Sequence, residues 1–534
     1  MSARAYDAIV LGGDPDGLTA AIGLAEAGAK VRLLEAAPEV GGVCQEIEFA
    51  PGFRAAPLAP DLGYVAPEVL RAAGQESWSG IDPDPAVIAV GDGVRLPLFR
   101  SAERTASELH RLSAPDARAW VDFTRRVHRF CGFLAELYRQ PPPRVDGHTL
   151  EDWLQLASLG RRFRSLGREE MAELLRTIPM SAADWLDDWF ESEPLKGVLA
   201  ALAVTDLSQG PVSGGTALAF LHRHVGAPPG VIGARSMPRN GPGVLVQALQ
   251  QRAVRAGVEI ETGAAIRRLI VRDDRIAGVS LASGEELPCR MVISSLDPRR
   301  SLLELLDIRY LDPDLIHAIR NIRYRGVTMK ILLALDGLPE SASGLASAGA
   351  IVIAPSVRYV EQAYDAAKYG RCSDQPFVAL HFPSVARPEL APAGRHVAVL
   401  HVQYTPYRLR SSGEAGAGEG DWETTRDRVA DRSIAVVEHH LPGFTERIRE
   451  RCILAPPDLE ARFGLREGAI SQGEMTLDQW LFMRPLPGWA RYAMPVAGLY
   501  LCGPGTHPGP GAPGLSGCLA ARVALGEWAW GRRK

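Results

Sequence analysis

Near the start of the chain, glycines are spaced like those of a turn that binds phosphate groups. In the stretch "LGGDPDG" (11–17), Gly12 and Gly17 fill the first and third positions of a Gly-x-Gly-x-x-Gly turn, and Gly13 follows the first. The first glycine of such a turn permits a sharp bend, and the third lets the following helix pack closely on the preceding strand. The second lets the backbone approach a pyrophosphate, and here that position holds Asp14. The spacing therefore predicts dinucleotide binding with an altered phosphate contact.

An acidic residue at the expected distance supports the same chemistry. Glu35 lies at the end of the apolar stretch "KVRLLEA", roughly 20 residues after the turn. A carboxylate in this position bonds the ribose hydroxyls of a dinucleotide. The alternative is a solvated charge at the end of a strand, which the surrounding strand–turn–helix–strand pattern disfavours.

Three residues of the turn bear directly on the phosphate. Asp14 and Asp16 place negative charges at a helix N-terminus, whose positive end normally receives the ligand. Pro15 has no N–H to offer, although proline is tolerated at the start of a helix. A screened contact between like charges at about 4 Å costs on the order of 1–4 kcal/mol. We therefore expect binding to be weakened without being abolished, and we expect Asp14→Gly to raise the affinity.

The hydrophobic pattern supplies the elements that must position these residues. "DAIVL" and "KVRLLEA" read as strands around a helix in "GLTAAIGLAEAG", and "PEVGGVCQEIEFAPGF" reads as a loop. Residues 103–140 and 148–205 have helical periodicity, whereas strands and hairpins follow a helix from about residue 241. The chain closes with a strand, a glycine–proline loop and a helix in "VAGLYLCGPGTHPGPGAPGLSGCLAARVALGEW". Nucleotide-type elements thus occur at the start, middle and end, which indicates two domains assembled from discontinuous segments.

Length and composition exclude several classes of protein. The chain has 534 residues, of which 46% are hydrophobic and 23% charged, and 59 basic against 63 acidic residues give a net charge of −4. These values are ordinary for a globular protein and provide no electrostatic footprint for nucleic acid. The seven cysteines show neither metal-ligand nor redox spacing. We find no signal peptide and no apolar run near the ~20 residues of a spanning helix, which predicts a cytoplasmic protein.

Two segments are predicted to lie at the surface. "SSGEAGAGEGDWE" (411–423) is poor in apolar residues and reads as a mobile loop. The tail "GEWAWGRRK" combines Trp528 and Trp530 with three basic residues. Such a tail could rest on a membrane surface, or it could be a frayed terminus, and the sequence leaves both open.

Longer stretches resemble a known family. "VGGVCQEIEFAPGF" and "GLYLCGPGTHPGPGAPGLSGCLAA" are similar to the segments of phytoene-desaturase-like flavoproteins, in the amine oxidase superfamily, that follow the ribose-binding acid and form the C-terminal FAD motif. "DDWFESEPLKGVLA" and "TLDQWLFMRPLPG" look like the branch called pyridine nucleotide-disulfide oxidoreductase domain-containing protein 2. The resemblance spans nearly the whole chain. It implies an α/β fold with a Rossmann-like, two-dinucleotide-binding FAD domain (1–75, 230–300 and 456–534) and a discontinuous α+β substrate or helical cap domain (76–229 and 301–455).

The resemblance also assigns a cofactor and its contacts. FAD would lie against the glycine turn, with Asp14, Pro15 and Asp16 opposing its phosphates. Further contacts would come from the Gly41-Gly42 turn and from the C-terminal loop that leads into a helix. The predicted cofactor-binding residues are Gly12, Gly13, Asp14, Gly17, Glu35, Gly41, Gly42, Ile266, Gly503, Gly505, Gly514 and Leu515.

No side chain identifies itself as a catalytic base or as part of a metal site. Cys44 lacks a partner cysteine five residues later, because that position is Phe49. His222 and His224 have no accompanying ligand set, so a structural or substrate-pocket role is expected. His507 could face the cofactor or brace its loop.

The resemblance implies an FAD-dependent oxidoreductase that accepts a hydride from a hydrophobic substrate. The alternative, favoured by Asp14, Pro15 and Asp16, is a flavin-fold protein with a degenerate cofactor site that serves as a non-catalytic binding or structural partner. The expected partners are therefore a hydrophobic small molecule and either a second copy of the chain or a homologue. Nucleic acid is not expected, and contact with a membrane surface is left open.

Overall fold

The computed structural model describes residues 6–531 with the exception of 79, 92, 144–149, 234–236 and 411–419. Most of the predicted surface loop at 411–423 therefore lies outside the described residues. The last three residues of the predicted tail, and the side chains of Trp528 and Trp530, also lie outside them. Within the described part, no helix combines the length and apolar character that a membrane crossing requires.

The strands of the described residues are numbered in chain order. They are β1 (Tyr6–Leu11), β2 (Val31–Leu34), β3 (Ile47–Ala50), β4 (Phe53–Ala55), β5 (Gly80–Ile81), β6 (Val87–Gly91), β7 (Val94–Leu98), β8 (Met237–Pro238), β9 (Glu259–Glu261), β10 (Ile266–Arg272), β11 (Arg275–Leu281), β12 (Glu286–Ser294), β13 (Thr328–Leu335), β14 (Ile351–Ile353), β15 (Val378–His381), β16 (His396–Gln403), β17 (Ile448–Leu454) and β18 (Leu499–Leu501).

The α-helices are numbered in the same way. They are α1 (Pro15–Glu26), α2 (Pro67–Ala72), α3 (Ala102–Leu109), α4 (Ala114–Tyr138), α5 (Leu150–Ser165), α6 (Arg168–Thr177), α7 (Ala182–Asp187), α8 (Glu193–Val204), α9 (Thr216–Arg223), α10 (Gly243–Arg255), α11 (Pro313–Arg320), α12 (Val357–Lys368), α13 (Pro383–Ala386), α14 (Trp422–His440), α15 (Pro456–Phe463) and α16 (Leu515–Gly531).

The first sheet has the parallel core that the sequence predicts. Its order is β10-β11-β12-β1-β2-β9, and β18 pairs with β12. β1 runs parallel to both β2 and β12, β2 is parallel to β9, and β12 is parallel to β18. β10, β11 and the start of β12 form an antiparallel meander at one edge. The Rossmann-like fold class is therefore confirmed.

The second sheet is largely antiparallel. Its order is β17-β13-β16-β15-β14-β6-β7. β13 is buried along its whole length, because other strands pair with both of its edges and side chains cover both of its faces. The sheet's strands come from 87–98, 328–403 and 448–454, whereas those of the first sheet come from 6–34, 259–294 and 499–501. The α+β character of this part agrees with the expectation, and the domain limits themselves remain predictions.

Two segments differ from the sequence-based expectation. The stretch after Gly42, predicted as a loop, contains the β3–β4 hairpin, in which "PG" (51–52) forms the turn. The hairpin β6–β7 was not predicted. Proline normally excludes a central strand, but Pro97 is tolerated because β7 is the edge strand of its sheet.

Helices α1 and α16 pack against each other unusually closely, although they come from opposite ends of the chain. A Cβ atom at Gly517 would lie 1.8 Å from the carbonyl oxygen of Asp16. A Cβ atom at Gly23 would lie 3.1 Å from that of Ala521. Small residues at these positions therefore permit the approach of the two backbones.

We expect Gly517→Ala to lower the free energy of unfolding by about 1–3 kcal/mol, because the added methyl group must push the two helices apart. Gly526→Ala, in the same helix but with no atom within 4 Å of its added Cβ, is the matched control. It should stabilise the protein by about 0.5–1 kcal/mol, because alanine has the higher helix propensity. Denaturant unfolding measures both, and equal effects would contradict the close packing.

Candidate functional site

A single cavity lies where four parallel strands end. The segments that follow β1, β2, β12 and β18 contribute Gly12, Glu35, Ser295 and Pro504 to its wall. In open parallel sheets, ligands bind at the carboxyl ends of the strands. The cavity, of about 610 Å³, extends from this edge to the second sheet, where Lys330 and other residues complete the wall.

The glycine turn has the tight geometry that its spacing predicts. Gly12 has φ of +97°, in the region that favours glycine, and its N–H donates to the carbonyl of Leu34 at 2.8 Å. A Cβ atom at Gly17 would lie 2.0 Å from the carbonyl oxygen of Gly12. Gly17 is therefore required for the packing of α1 on the end of β1.

Asp14 is the N-cap of α1. Its carboxylate accepts a hydrogen bond from the N–H of Gly17 at 2.8 Å, and its backbone is extended. Burial raises the pKa of Asp14 to about 6, and the charge of Glu35 acts in the same direction. The cap occupies one of the N–H groups that a phosphate would otherwise use.

Asp16 caps a different helix. Its carboxylate accepts the N–H of Gly517 at 3.1 Å, at the N-terminus of α16. The hydroxyl of Thr19 donates to the carbonyl of Gly514 at 2.7 Å beside it. Burial raises the pKa of Asp16 to about 8, with a further contribution from the charge of Asp14. Both acids lie at the start of α1, but the Asp14 carboxylate bonds α1 itself, whereas the Asp16 carboxylate bonds the N-terminus of α16.

Glu35 is held against the glycine turn by two backbone groups. One carboxylate oxygen accepts the N–H of Gly13 at 2.6 Å, and the other accepts the N–H of Ala37 at 2.8 Å. These bonds fix the carboxylate at the end of β2, where it faces the cavity. An acid held in this way is placed to meet a ribose.

The glycine pair after β2 folds over the turn. The N–H of Gly41 donates to the carbonyl of Gly13 at 2.8 Å, and Gly41 has φ of +139°. Gly42 has φ of +54°, and a Cβ atom there would lie 2.9 Å from that of Asp14. The glycine pair therefore packs directly against the turn that contains Gly13 and Asp14.

The C-terminal loop is attached to the end of β12 through Gln472. The Gln472 side chain donates to the carbonyl of Ser295 at 3.2 Å and accepts the N–H of Gly505 at 3.1 Å. Gly503 has φ of +87°, and a Cβ atom there would lie 2.8 Å from the Ser295 carbonyl oxygen. The loop therefore lies against the strand end through its backbone.

A buried arginine organises the same loop. The guanidinium of Arg484 donates to the carbonyls of Pro504 at 2.8 Å and Glu474 at 2.9 Å. Further bonds go to the carbonyls of Gln479, Ser471 and Gly473. Burial lowers the pKa of Arg484 to about 10. The side chain thus fixes the loop through carbonyl oxygens rather than through a carboxylate.

The structure brings some of the predicted residues to the cavity wall and places others behind it. The wall includes Gly12, Asp14, Glu35, Gly42 and Ile266. The positions behind the wall are Gly13, Gly17, Gly41, Gly503, Gly505, Gly514 and Leu515. Their contact with a cofactor remains a prediction.

The histidines singled out in the sequence have structural surroundings. His222 lies between the hydroxyl of Tyr138 at 2.8 Å and the carbonyl of Pro510 at 2.7 Å, and it also lines the cavity. His224 bonds the backbone groups of Phe220 and Gly233. Among the residues that the structure describes, no group of three potential ligands could hold a metal ion.

Two other candidates, His507 and Cys44, are buried side chains. The ring of His507 is buried against that of Tyr138 and is not part of the cavity wall. Burial raises the pKa of Cys44 to about 12, which keeps it a thiol. Neither the raised pKa of Cys44 nor the phenylalanine at position 49 supports dithiol chemistry.

A buried polar group at the far end of the cavity was not predicted. Lys330 on β13 is paired across the strands with His401 on β16, and their nitrogens Nζ and Nδ1 are 2.9 Å apart. Asp206 follows α8 at the same place, with Oδ1 3.8 Å from His401 Nδ1. All three line the cavity. The only sequence signal is a lysine within an otherwise apolar strand.

The protonation of this group follows from its surroundings. The Nε2 atom of His401 faces the side-chain oxygen of Gln403 at 3.0 Å, which requires an N–H there and leaves Nδ1 as an acceptor for Lys330. Burial lowers the pKa of His401 to about 3, and it also lowers that of Lys330. Burial alone would raise the pKa of Asp206, but the nearby cationic groups hold it below its ordinary value.

Two family models match this chain, one at its N-terminal nucleotide-type segment and one over its central part. Residues 10–61 match an NAD(P)-binding Rossmann-like domain, and residues 98–377 match the flavin containing amine oxidoreductase model. Together with a cavity at the strand ends, these matches define an FAD-dependent oxidoreductase. The chain belongs to the flavin-containing amine oxidoreductase family.

Individual relatives agree with this assignment. The pyridine nucleotide-disulfide oxidoreductase domain-containing protein 2 of Rattus norvegicus is 32% identical, over 97% of this chain and 93% of its own. A phytoene desaturase (lycopene-forming) of Paracoccus sp. is 26% identical over 54% of each chain. A solved oxidoreductase from Methanosarcina mazei, 16% identical, shares the fold, with a TM-score of 0.59 over 97% of this chain and 99% of its own.

The residues present fit FAD in several respects. The cavity is large, Glu35 faces it where a ribose is expected, and its glycine turn leaves room that a side chain would fill. Asp14 and Asp16 lie where the phosphates are expected, and burial raises the pKa values of both carboxyl groups, so that they lose their charge at a higher pH than an ordinary aspartate does. The residues that would hold FAD are therefore compatible with it when protonation reduces the negative charge of Asp14 and Asp16.

We expect the FAD affinity of the protein to rise as the pH falls through about 6, the pKa of Asp14. An ionised Asp14 repels the pyrophosphate, so that binding is accompanied by proton uptake. Asp14→Asn keeps the cap but removes the charge, and it should raise the affinity by roughly tenfold or more above that pH. Flavin titration of the cofactor-depleted protein at several pH values measures both effects.

Asp7→Asn is the matched control for this titration, because Asp7 also accepts a backbone N–H, from Lys30 at 2.9 Å, but lies away from the cavity. It should leave the affinity and its pH dependence unchanged. An Asp14→Asn variant that binds FAD like the wild type would show that Asp14 does not oppose the phosphates.

Asp16 should make the stability of the protein depend on pH. Its pKa is raised from 3.8 to about 8, so the free energy of unfolding falls as the pH rises between these values and then levels off. Asp16→Asn retains the acceptor for Gly517 without the charge. The variant should therefore melt at a higher temperature than the wild type near pH 8 and at a similar one near pH 4.

Thermal melts of the cofactor-depleted protein check this expectation. Asp312→Asn, which alters an exposed aspartate cap on α11, is the matched control. An equal gain in both variants would assign the effect to overall charge rather than to the burial of Asp16.

Proposed function

We propose that the protein oxidises a hydrophobic small molecule by removing a hydride from a C–H bond and a proton from the same molecule. The observation that carries the proposal is the cavity that joins the nucleotide edge of the first sheet to Lys330 on the second. Bound FAD would supply the hydride acceptor. The phytoene desaturase among the relatives is named for a reaction on an apolar hydrocarbon, which supports the same substrate class.

The walls between the two ends of the cavity favour an apolar substrate. They include Leu202, Val352, Phe377 and Ala379 from α8 and the second sheet. A substrate that buries apolar surface against these side chains displaces water from the site. Exclusion of water also strengthens the electrostatic effect of any polar group that remains.

Lys330 is the group best placed to receive the proton. Burial lowers its pKa and so increases the share of the neutral amine, whose lone pair can accept a proton at Nζ. The neighbouring Asp206, whose pKa is lowered in part by the permanent charge of Arg223, would stabilise the ammonium group that results. His401 orients the amine through Nδ1, because Gln403 fixes its tautomer. The carbon that loses the hydride then forms a double bond to the neighbouring atom that loses the proton, because the electron pair of the broken bond to hydrogen becomes the second bond.

The first experiment is a visible absorption spectrum of the purified protein with assay of the flavin released on denaturation. Near-stoichiometric FAD is the expected result. Anaerobic addition of apolar alkenes and amines should then bleach the visible bands when one of them is a substrate. A colourless protein that ignores added FAD would favour the second function, a non-catalytic partner whose two helix N-termini are permanently capped by Asp14 and Asp16.

We expect Lys330→Met to retain FAD and to lower the rate of substrate oxidation by roughly 10²–10⁴-fold, because the proton acceptor is lost while the side-chain volume is kept. Rapid-mixing measurement of flavin bleaching gives the rate. Lys368→Met, which removes a surface lysine on α12, is the control and should be fully active. Normal bleaching by the Lys330 variant would remove Lys330 from the mechanism.

A further inference from the structure

Helix α5 presents large apolar side chains to solvent along one side. The exposed fractions of Leu150, Trp153 and Leu154 are 77%, 63% and 61%. Ala157 is exposed one turn further along. Their spacing of three and four residues places them in a single stripe. Scattered exposed apolar residues need no explanation, but a contiguous stripe on one helix marks an interaction surface.

The opposite side of the helix holds it on the protein. Phe163 packs against Phe133 of α4, with ring centroids 5.7 Å apart, and Arg162 pairs with Glu136 at 3.1 Å. Gln155 accepts a hydrogen bond from Arg491 at 3.1 Å. The outward stripe therefore takes no part in these packing contacts.

The stripe continues into a basic segment. Arg161 and Arg164 are exposed and fall on the same side of α5 as Trp153, four and seven residues after Ala157. The exposed Arg168 begins the next helix. The outward side of α5 is thus apolar in its first half and positive in its second.

We infer that this side of α5 docks on the surface of a lipid bilayer that contains anionic headgroups. Leucine and tryptophan side chains insert at the boundary between headgroups and acyl chains, where tryptophan is favoured. The arginines pair with phosphates of the headgroups. We choose an anionic bilayer as the partner because its charge is complementary to the arginines of α5. The protein as a whole has a net charge of −4, so this attraction must be local to α5.

The surface goes beyond the proposed reaction and can be tested without it. The full chain, as purified, is sedimented with vesicles of phosphatidylcholine alone or mixed with phosphatidylglycerol. We expect strong binding only to the mixed vesicles, weakened by salt. The triple variant Leu150→Ser, Trp153→Ser and Leu154→Ser should lower the partition by roughly tenfold or more. Arg161→Gln with Arg164→Gln should reduce the preference for anionic vesicles.

Val254→Ser with Tyr369→Ser is the matched control, because these side chains are 58% and 64% exposed elsewhere on the surface. It should bind like the wild type. Circular dichroism and melting temperature establish that each variant is folded.

Three outcomes would overturn the inference. One is a wild-type protein that binds neither kind of vesicle. Another is a triple variant that binds vesicles normally. If removal of residues 532–534 then abolishes binding, the C-terminal tail and not α5 is the membrane contact. The third is a triple variant that changes the oligomeric state in gel filtration without changing vesicle binding, which would make the stripe a protein interface.

Discussion

The nucleotide-binding half of the protein depends on the contact between the N-termini of α1 and α16. The carbonyl of Asp16 lies where a side chain at Gly517 would project, and its carboxylate accepts the N–H of that glycine. Thr19 bonds the carbonyl of Gly514 alongside. Because each helix follows directly from a strand end or a glycine loop, fixing the two helices also fixes the edge of the sheet at which the cavity opens.

This contact gives the acidic residues of the glycine turn a structural role at the place where the phosphates of FAD are expected. A carboxylate at a helix N-terminus gains from the helix dipole and from the N–H groups it satisfies, but its burial favours the protonated form. Asp14 and Asp16 each satisfy an N–H group, and each has a raised pKa. Protonation of Asp16, and of Asp14 below about pH 6, would therefore remove repulsion toward a pyrophosphate while leaving the caps in place. The turn is altered in its electrostatics more than in its backbone.

The parts of the structure that could be predicted from the sequence are those specified by local patterns. The glycine spacing, the apolar strands and Glu35 establish the Rossmann-like unit, since each role depends on residues close in sequence. The hairpins β3–β4 and β6–β7 were not recognised, because proline and glycine near their turns resemble loop signals. The sequence also could not show that Asp16 caps α16, since that contact joins residues 501 positions apart.

The group of Lys330, His401 and Asp206 illustrates the same limit at the candidate site. Lys330 and His401 are separated by 71 residues and meet only because of the register between β13 and β16. No local pattern specifies that register, although a buried lysine in an apolar strand indicates that some partner must exist. The candidate proton acceptor therefore emerges from the packing of the second sheet.

The apolar cavity and the proposed membrane-docking side of α5 both fit a substrate that is poorly soluble in water. A molecule that prefers the apolar walls of the cavity is poorly soluble in water and accumulates in bilayers. Its concentration in solution would then limit the rate at which it reaches Lys330, however well the site is arranged. A helix whose outer side suits a bilayer boundary would place the protein where such a substrate is concentrated. Under this arrangement, docking of α5 affects the supply of substrate and leaves the chemistry at Lys330 unchanged.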